Sequence, residues 1–351
     1  MDTIKTKETK LPENCFISII IPCYNTEKSI KSCLDCALES SFKNFEVICV
    51  DDCSTDDTVK IINSYDNVRL VKLAKNSGAA VTRNEGAKIA KGDILLFFDS
   101  DILIRKDTLE NISDDIANKK GDVIVAIYSK EHPFKNIASN YKNLHMRYVY
   151  YIMPDYISIL NTSCVAIKKE AFEAVNGFDS NIKILSGEDW EIGKRIVSKG
   201  YRIYMDKEIE VIHKKYLTLI DLVKMDLRKM FGLVKLLARS GLFKNKVYNT
   251  GRTERIPSYT FYMAASGFIV LGITFLIPTI ILTKHILPSL TLFAFIILYL
   301  LVNKPFFSFL LKARGLSFFL VSTLVYFLNI WVLIIGSLAG FFDYFILHNR
   351  Y

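Results

Sequence analysis

The sequence predicts an α/β domain built on a mostly parallel sheet with helices on both faces, followed by an interfacial amphipathic helix and an α-helical membrane domain. Three observations predict it. Short β-branched runs alternate with helical stretches over the first 130 or so residues, the pattern of a parallel sheet covered on both sides. The net charge of +9 is concentrated in one segment: Val211 to Ile256 holds eleven Lys or Arg against three Asp or Glu. The last quarter consists of long apolar stretches with few charges. With 351 residues, 51% hydrophobic and 23% charged, the chain fits about two domains and is neither disordered nor fibrous.

Met1 to Lys10 is polar and the first apolar run, Phe16–Pro22, is too short to span a bilayer. The N-terminal part is therefore expected to start in the cytosol. Strands are expected at Phe16–Ile21, Phe45–Val50, Val68–Leu73, Ile94–Phe98 and Val123–Tyr128, and helices at Lys28–Glu39, Asp56–Tyr65, Ala79–Ala90 and Lys106–Lys119. Beyond residue 130 the alternation stops. A Tyr-rich amphipathic stretch, Pro133–Ile152, leads to an apolar segment at Ile157–Ile167. Gly187-Glu188-Asp189-Trp190 then opens a helical stretch ending near Lys199, and short strands at Tyr201–Met205 and Ile209–His213 complete the domain. Tyr141, Tyr148, Tyr150 and Tyr151 recur near helical spacing and read mainly as packing.

From Tyr216 to about Arg239 the pattern is helical. Lys224, Arg228, Lys235 and Arg239 fall within about 60° of one another at roughly 100° per residue. Leu219, Leu222, Val223, Leu227, Met230, Leu233, Val234 and Leu237 take the far side, with Asp226 among them and unexplained. Such a helix suits a membrane interface with anionic lipid headgroups as partners. The apolar stretches Tyr259–Leu282, Ile286–Val302 and Leu316–Ile346 predict about three spans of a hydrocarbon layer roughly 30 Å thick. A cytosolic loop holding Lys304, Lys312 and Arg314, opposite a loop at Lys284, agrees with the positive-inside rule. The expected divisions are 1–215, 216–258 and 259–351, in an integral protein of the cell membrane with its first domain in the cytosol.

All seven Cys lie before residue 165. Cys33-x-x-Cys36 with Cys49-x-x-x-Cys53 imitates a zinc spacing, but Cys49 lies in an expected buried strand and Cys33 and Cys36 on a helix, which favours reduced thiols in a cytosolic core. In that compartment the sequons at Asn111 and Asn161 carry no weight. The basic segment lacks an aromatic-rich or Gly-rich RNA-binding signature, so nucleic acid is not an expected partner.

In open α/β sheets ligands bind beyond the carboxyl ends of the strands. Here the turns at those ends are polar: Pro22-Cys23-Tyr24-Asn25, Asp51-Asp52-Cys53-Ser54-Thr55-Asp56 and Asp99-Ser100-Asp101. Asp99-x-Asp101 can place oxygens around a divalent metal that in turn holds a nucleotide diphosphate, or it can be two solvated turn carboxylates. Its place after a fully apolar strand, beside the acidic pair Asp51 and Asp52, favours the first.

Together the runs Ile19-Ile20-Ile21-Pro22-Cys23-Tyr24-Asn25, Val50 to Thr58, Gly78 through Thr82-Arg83-Asn84, and Lys91-Gly92-Asp93 to Asp101 resemble a family 2 glycosyltransferase over about residues 15 to 215. The resemblance implies a GT-A fold, Rossmann-like, and a nucleotide-sugar donor, most often a UDP-sugar. It implies that Pro22 and Tyr24 line the base pocket, that Asp52 hydrogen-bonds the uracil edge and that Arg83 contacts the nucleoside side of the donor. Asp99 would face ribose or sugar, and Asp101 would bind Mn or Mg. His213 resembles a histidine that completes the metal shell in some members, and it can equally be an ordinary surface or core residue. Cys53 departs from the family's usual Gly, and a type I turn would accommodate it.

Departure of a diphosphate needs charge stabilisation, and an inverting transfer needs a carboxylate on the opposite face to deprotonate the acceptor hydroxyl. Glu188-Asp189 resembles the family's acceptor-side acidic pair, with Asp189 the candidate base; both acids could instead only cap the helix that follows. Trp190 is either a sugar or lipid platform or a packing residue. The favoured expectation is a membrane-anchored inverting glycosyltransferase acting on a membrane lipid or lipid-linked acceptor. A polyprenyl-phosphate sugar synthase is the alternative, since an ionised lipid phosphate needs little or no base. A polysaccharide synthase is disfavoured: the chain has no Gln, which excludes a Gln-x-x-Arg-Trp motif, and no helices come before the expected catalytic domain. A catalytically dead scaffold would not be expected to keep Asp52, Arg83, Asp101 and Asp189.

Overall fold

The computed structural model of the chain describes residues 15–182, 187–239, 258–283 and 286–348. The polar opening Met1–Lys10, the segment 240–257 with its basic residues, and the expected loop at Lys284 lie outside the described residues. Two compact units emerge, one comprising Met1–Phe134 and Met153–Tyr216, the other Lys135–Ile152 and Leu217–Tyr351.

In chain order the elements begin with β1 (Ile17–Cys23), α1 (Ile30–Leu38), β2 (Phe45–Asp51), α2 (Thr58–Ile62), β3 (Val68–Lys72) and α3 (Ala79–Ile89). They continue with β4 (Ile94–Phe98), β5 (Ile102–Leu103), α4 (Thr108–Ala117), β6 (Val123–Tyr128), α5 (Ile137–Ile152), β7 (Tyr156–Ile157) and β8 (Cys164–Lys168). After them come α6 (Lys169–Ala174), α7 (Gly187–Ser198), β9 (Ile203–His213), α8 (Leu219–Arg239), α9 (Ser258–Thr283), α10 (Ile286–Val302) and α11 (Lys304–Phe345).

The first unit is built on one nine-stranded sheet of order β3-β2-β1-β4-β8-β6-β9-β5, with β7 paired to β9. β3, β2, β1 and β4 are parallel, as the alternating pattern requires, and every residue of β4 is buried. β8 enters antiparallel between β4 and β6, pairing Phe98 with Cys164 and Val125 with Val165. That insertion, and the two-residue strands β5 and β7, escape periodicity because pairs so short carry none. The two short strands expected at 201–213 are one strand, β9, whose register against β6 shifts between Ala126 and Ile127. This bulge carries Lys207-Glu208-Ile209 past the β6 ladder while leaving His213 paired with Ile102 at the sheet's polar edge.

In the second unit Tyr141, Leu144, Leu222, Val270, Tyr299 and Tyr326 belong to one buried cluster. Tyr141 is fully buried and Tyr148 packs on Phe306 and Phe309, as expected of packing residues, whereas Tyr151 is exposed. α9 and α11 contain stretches long and apolar enough to cross a membrane, and α10, with 17 residues, is shorter. Lys304, Lys312 and Arg314, expected in a loop, are helical: α11 starts at Lys304 and is interrupted at Gly315, whose φ of 82° breaks the helix.

α8 differs from a helix with one basic and one apolar side. Its backbone lies against α11 at Gly336 and Gly340, where an added Cβ would stand 2.9 Å from the Leu227 carbonyl oxygen and 2.6 Å from that of Phe231. Lys235, expected on the basic face, is buried and pairs with Asp343 at 2.6 Å. Asp226 is equally buried: Lys142 Nζ lies 2.5 Å from one of its oxygens and Asn329 Nδ2 donates to the other at 2.6 Å. Its place among apolar residues is explained by partners on α5 and α11. Lys224 and Arg228 remain exposed, as do Leu219, Ile220 and Val223.

Candidate active site

The polar turns converge on one rim of the first unit's sheet because parallel β1, β2 and β4 all end there. Pro22 is half-buried opposite Val50, and Tyr24 is half exposed beyond it. The turn after β1 is laced to the turn after β2: Asn25 N–H donates to Ser54 Oγ at 2.9 Å, and Thr55 N–H to Asn25 Oδ1 at 2.8 Å. A cavity of about 450 Å³ opens among this turn, Thr55–Asp56 and Ser100–Asp101.

Asp52 is buried, and its carboxylate accepts the backbone N–H groups of Ser77 at 2.7 Å and Gly78 at 2.8 Å. Gly78 has φ 88°, open to glycine at no steric cost, and this lets the turn bring both N–H groups to one carboxylate. Cys53 follows with φ 67°. The expected type I turn is therefore replaced by a left-handed residue, a conformation costing a non-glycine about 1–2 kcal/mol.

Arg83, on α3, is buried and donates from Nη2 to Asp99 Oδ1 at 2.9 Å and from Nη1 to Glu188 Oε1 at 3.2 Å. Burial opposes its charge, yet the nearby Asp99, Glu188 and Asp189 carboxylates outweigh it and raise its pKa. The guanidinium thus joins the end of β4 to the first turn of α7, its two terminal nitrogens both engaged by acids of this chain. Asp189 is buried beside Glu188, with one oxygen accepting the Trp190 N–H at 3.1 Å. Trp190 is partly buried and its ring lies 5.3 Å from Lys194 Nζ.

Asp101 and His213 meet through β5 and β9, with Nε2 of the imidazole 3.4 Å from Asp101 Oδ2. The other carboxylate oxygen, Oδ1, is buried with no hydrogen-bond partner. Burial pushes the Asp101 carboxyl up, but the His213 hydrogen bond and charge, with Lys215, pull it below its ordinary value. The His213 ring stacks on Tyr128, centroids 4.9 Å apart, and the buried Tyr128 hydroxyl is 2.7 Å from Ser163 Oγ. Among the described residues no group of three His, Cys, Asp or Glu side chains is arranged to hold a metal, so the pair offers a partial donor set.

The site residues therefore gather as three neighbouring sets on one rim: Asp52 on the α3 turn, Asp99–Arg83–Glu188 with Asp189, and Asp101–His213. Sequence reasoning missed Tyr128, Ser163 and the Ser77–Gly78 amides. Tyr128 had a signal in closing an apolar run, while backbone amides leave none. The seven cysteines are free thiols; burial pushes the Cys164 thiol to about 12 and raises that of Cys33.

Residues 18–175 match the sequence model of glycosyl transferase family 2, and residues 150–217 that described as the N-terminal domain of galactosyltransferase. The chain carries a family 2 glycosyltransferase domain. The domain is 35% identical over 150 residues to the poly(ribitol-phosphate) beta-N-acetylglucosaminyltransferase TarS of Staphylococcus aureus, covering 39% of this chain and 26% of that protein. It is 45% identical over 87 residues to the UDP-Glc:alpha-D-GlcNAc-diphosphoundecaprenol beta-1,3-glucosyltransferase WfaP of Escherichia coli, covering 24% of this chain and 35% of the other. This chain thus spans about a quarter to a third of the length of these relatives. Among solved structures, the mannosyltransferase PcManGT from Pyrobaculum calidifontis in complex with GDP-Man and Mn2+ superposes with a TM-score of 0.61. That match covers 94% of this chain and 88% of the other at 16% identity, which supports the GT-A fold.

Proposed function

We propose that the protein is a membrane-anchored inverting glycosyltransferase that moves a sugar from a nucleotide-sugar, a UDP-sugar first, to a membrane lipid or lipid-linked saccharide. The reading rests on one observation: Asp101, which meets His213 through one carboxylate oxygen and keeps the other buried without a partner, shares a sheet rim with Asp52, Asp99 and the Arg83-linked acids at the head of α7. A hard divalent cation commonly takes one or two protein ligands and completes its shell with phosphate and water; the Asp101 oxygen suits Mn or Mg, and the His213 nitrogen favours Mn of the two. Asp101 and His213 would hold that ion, which when bound offsets the charge of the departing diphosphate.

The chain's own groups account for the rest. Pro22 and Tyr24 border the base, and Asp52 is fixed by the α3 turn with lone pairs left for the uracil edge. Asp99 faces the sugar side. Asp189 takes the proton from the acceptor hydroxyl, a step for which a positioned carboxylate is suited. Glu188 and Trp190 line the acceptor side. The names of relatives acting on a diphosphoundecaprenol-linked sugar and on a poly(ribitol-phosphate) favour a lipid-linked or polymeric acceptor. Two long apolar helices, with exposed Lys224 and Arg228 on α8, support anchoring at an anionic lipid surface with the catalytic domain, about residues 1–215, in the cytosol.

The test is a transfer panel with the full chain in nanodiscs, Mn or Mg, labelled UDP-, GDP- and dTDP-sugars, and total membrane lipid. Metal-dependent label in the lipid fraction, lost in Asp101→Asn and Asp189→Asn, is expected. Loss in Asp101→Asn alone would instead identify an already ionised lipid phosphate as acceptor. No turnover of any donor overturns the reading.

A further inference from the structure

Arg83 and its neighbour Asn84 hold two separate points of the chain, Arg83 the first turn of α7 and Asn84 the segment after α6 at Phe178. Asn84 Nδ2 donates to the Phe178 carbonyl at 2.8 Å, and Phe178 N–H donates back to Asn84 Oδ1 at 2.9 Å. Phe178 is itself buried, with its ring 5.4 Å from that of Phe97 on β4 and 5.6 Å from that of Phe172 on α6. The Arg83 guanidinium lies 5.6 Å from the Phe178 ring centroid and spends its two terminal nitrogens on Glu188 and Asp99. Consecutive positions on one helix therefore hold Phe178 through its backbone and Glu188 through its carboxylate. The carboxylate held is one residue before Asp189.

We propose that Arg83 and Asn84 are positioning residues: Arg83 fixes the first turn of α7 against the end of β4, Asn84 fixes Phe178, over whose ring the guanidinium lies, and together they set where the Asp189 carboxylate meets the acceptor hydroxyl. This rests on the glycosyltransferase reading and assigns Arg83 a role other than contact with the donor nucleoside. A guanidinium that is 3% exposed and engaged by two acids is spoken for before substrate arrives. Asn84 is bound to the backbone of Phe178 at both ends of its amide. Reactive groups tolerate little misplacement: a shift of about 1 Å can cost on the order of 100-fold in rate.

The test measures kcat, KM for the donor and the dissociation constant of UDP with Mn2+ for the full chain in nanodiscs. Asn84→Ala should lower kcat on the order of 100-fold while the UDP dissociation constant stays within about 3-fold. Arg83→Met should behave the same way. Arg83→Lys, which keeps a charge but not the two-pronged fork, should recover about 10-fold of that loss. If Asn84→Ala does not fold, Asn84→Asp serves instead, keeping the acceptor for Phe178 N–H and losing the donor; kcat there should fall with UDP binding unchanged. A rise in the UDP dissociation constant matching the loss of kcat/KM in Arg83→Met overturns the proposal, as does full kcat in the Asn84 variant that folds. A wild type that turns over no donor removes the functional reading and this role with it, whereas an active wild type with active Asn84 variants removes the positioning role alone.

Discussion

Buried charge is held differently at the first unit's sheet rim and at the ion pairs of the second unit. In the second, Asp226 is enclosed by Lys142 and Asn329, and Lys235 by Asp343. In the first, at the sheet rim, Arg83 Nε and Asp101 Oδ1 are buried without partners. A buried polar group left unmade costs about 1–3 kcal/mol, more if charged, so a fold keeps one mainly where a ligand completes it. Satisfied pairs between α5, α8 and α11 read as architecture, and the incomplete rim reads as a place for chemistry.

The largest effect that would sharpen this contrast is chemical. Asp189→Asn should lower transfer by about 10²–10⁴-fold, the range of a lost general base, with donor binding retained in an equilibrium assay. Next is the second unit's pair. Asp226→Asn leaves Lys142 buried without its countercharge and should destabilise by about 3–5 kcal/mol in chemical unfolding, while Lys142→Met with Asp226→Leu should be close to neutral. If the single variant costs nothing, the pair is not architectural and the contrast fails.

Acid reads the same pair. Burial pushes the Asp226 carboxyl up, but the Lys142 charge and the hydrogen bonds from Lys142 and Asn329 dominate and hold it below its ordinary value. The folded state therefore binds fewer protons than the unfolded state. The resulting stability is full above the usual carboxylate pKa of about 3.9 and is lost as pH falls through the depressed folded value. The double variant should show a flatter acid arm in a melting-temperature profile.

A smaller effect belongs to the stack beneath His213. Tyr128→Leu removes the ring that orients the imidazole and should weaken Mn2+ binding about 10-fold or more by EPR titration, with the sheet intact by circular dichroism. The smallest is Cys53→Gly. Relief of the left-handed strain is partly offset by the freedom glycine gains in the unfolded chain, leaving a net gain of about 0.5–1 kcal/mol in a thermal melt. A destabilised Cys53→Gly would mean that the thiol holds the turn.

Legibility in the sequence followed distance along the chain. The runs at Ile19–Asn25, Val50–Thr58 and Phe98–Asp101 display strand, turn and carboxylate together, so the sheet rim, its acids and the family resemblance could be read directly. Antiparallel β8 could not, because its run looks the same whichever way it inserts. Asp226 was inexplicable from its helix alone, since Lys142 and Asn329 stand 84 and 103 residues away. Lys235 shares a face with exposed Lys224 and Arg228, and periodicity could not show that at its end of α8 this face is covered and the lysine is paired with Asp343 of α11.

By itself, then, the sequence determined the local matters: alternation of strand and helix, the apolar helices, and the acids presented at strand ends, all set by backbone preference and hydrophobic period. Tertiary structure alone decided that Arg83 answers to Asp99 and Glu188, that Asp52 is fastened by the Ser77 and Gly78 amides, and which charges of α8 are enclosed. Those outcomes depend on which distant groups share a low-dielectric space, where an ion is kept only if another element brings its partner within hydrogen-bond reach.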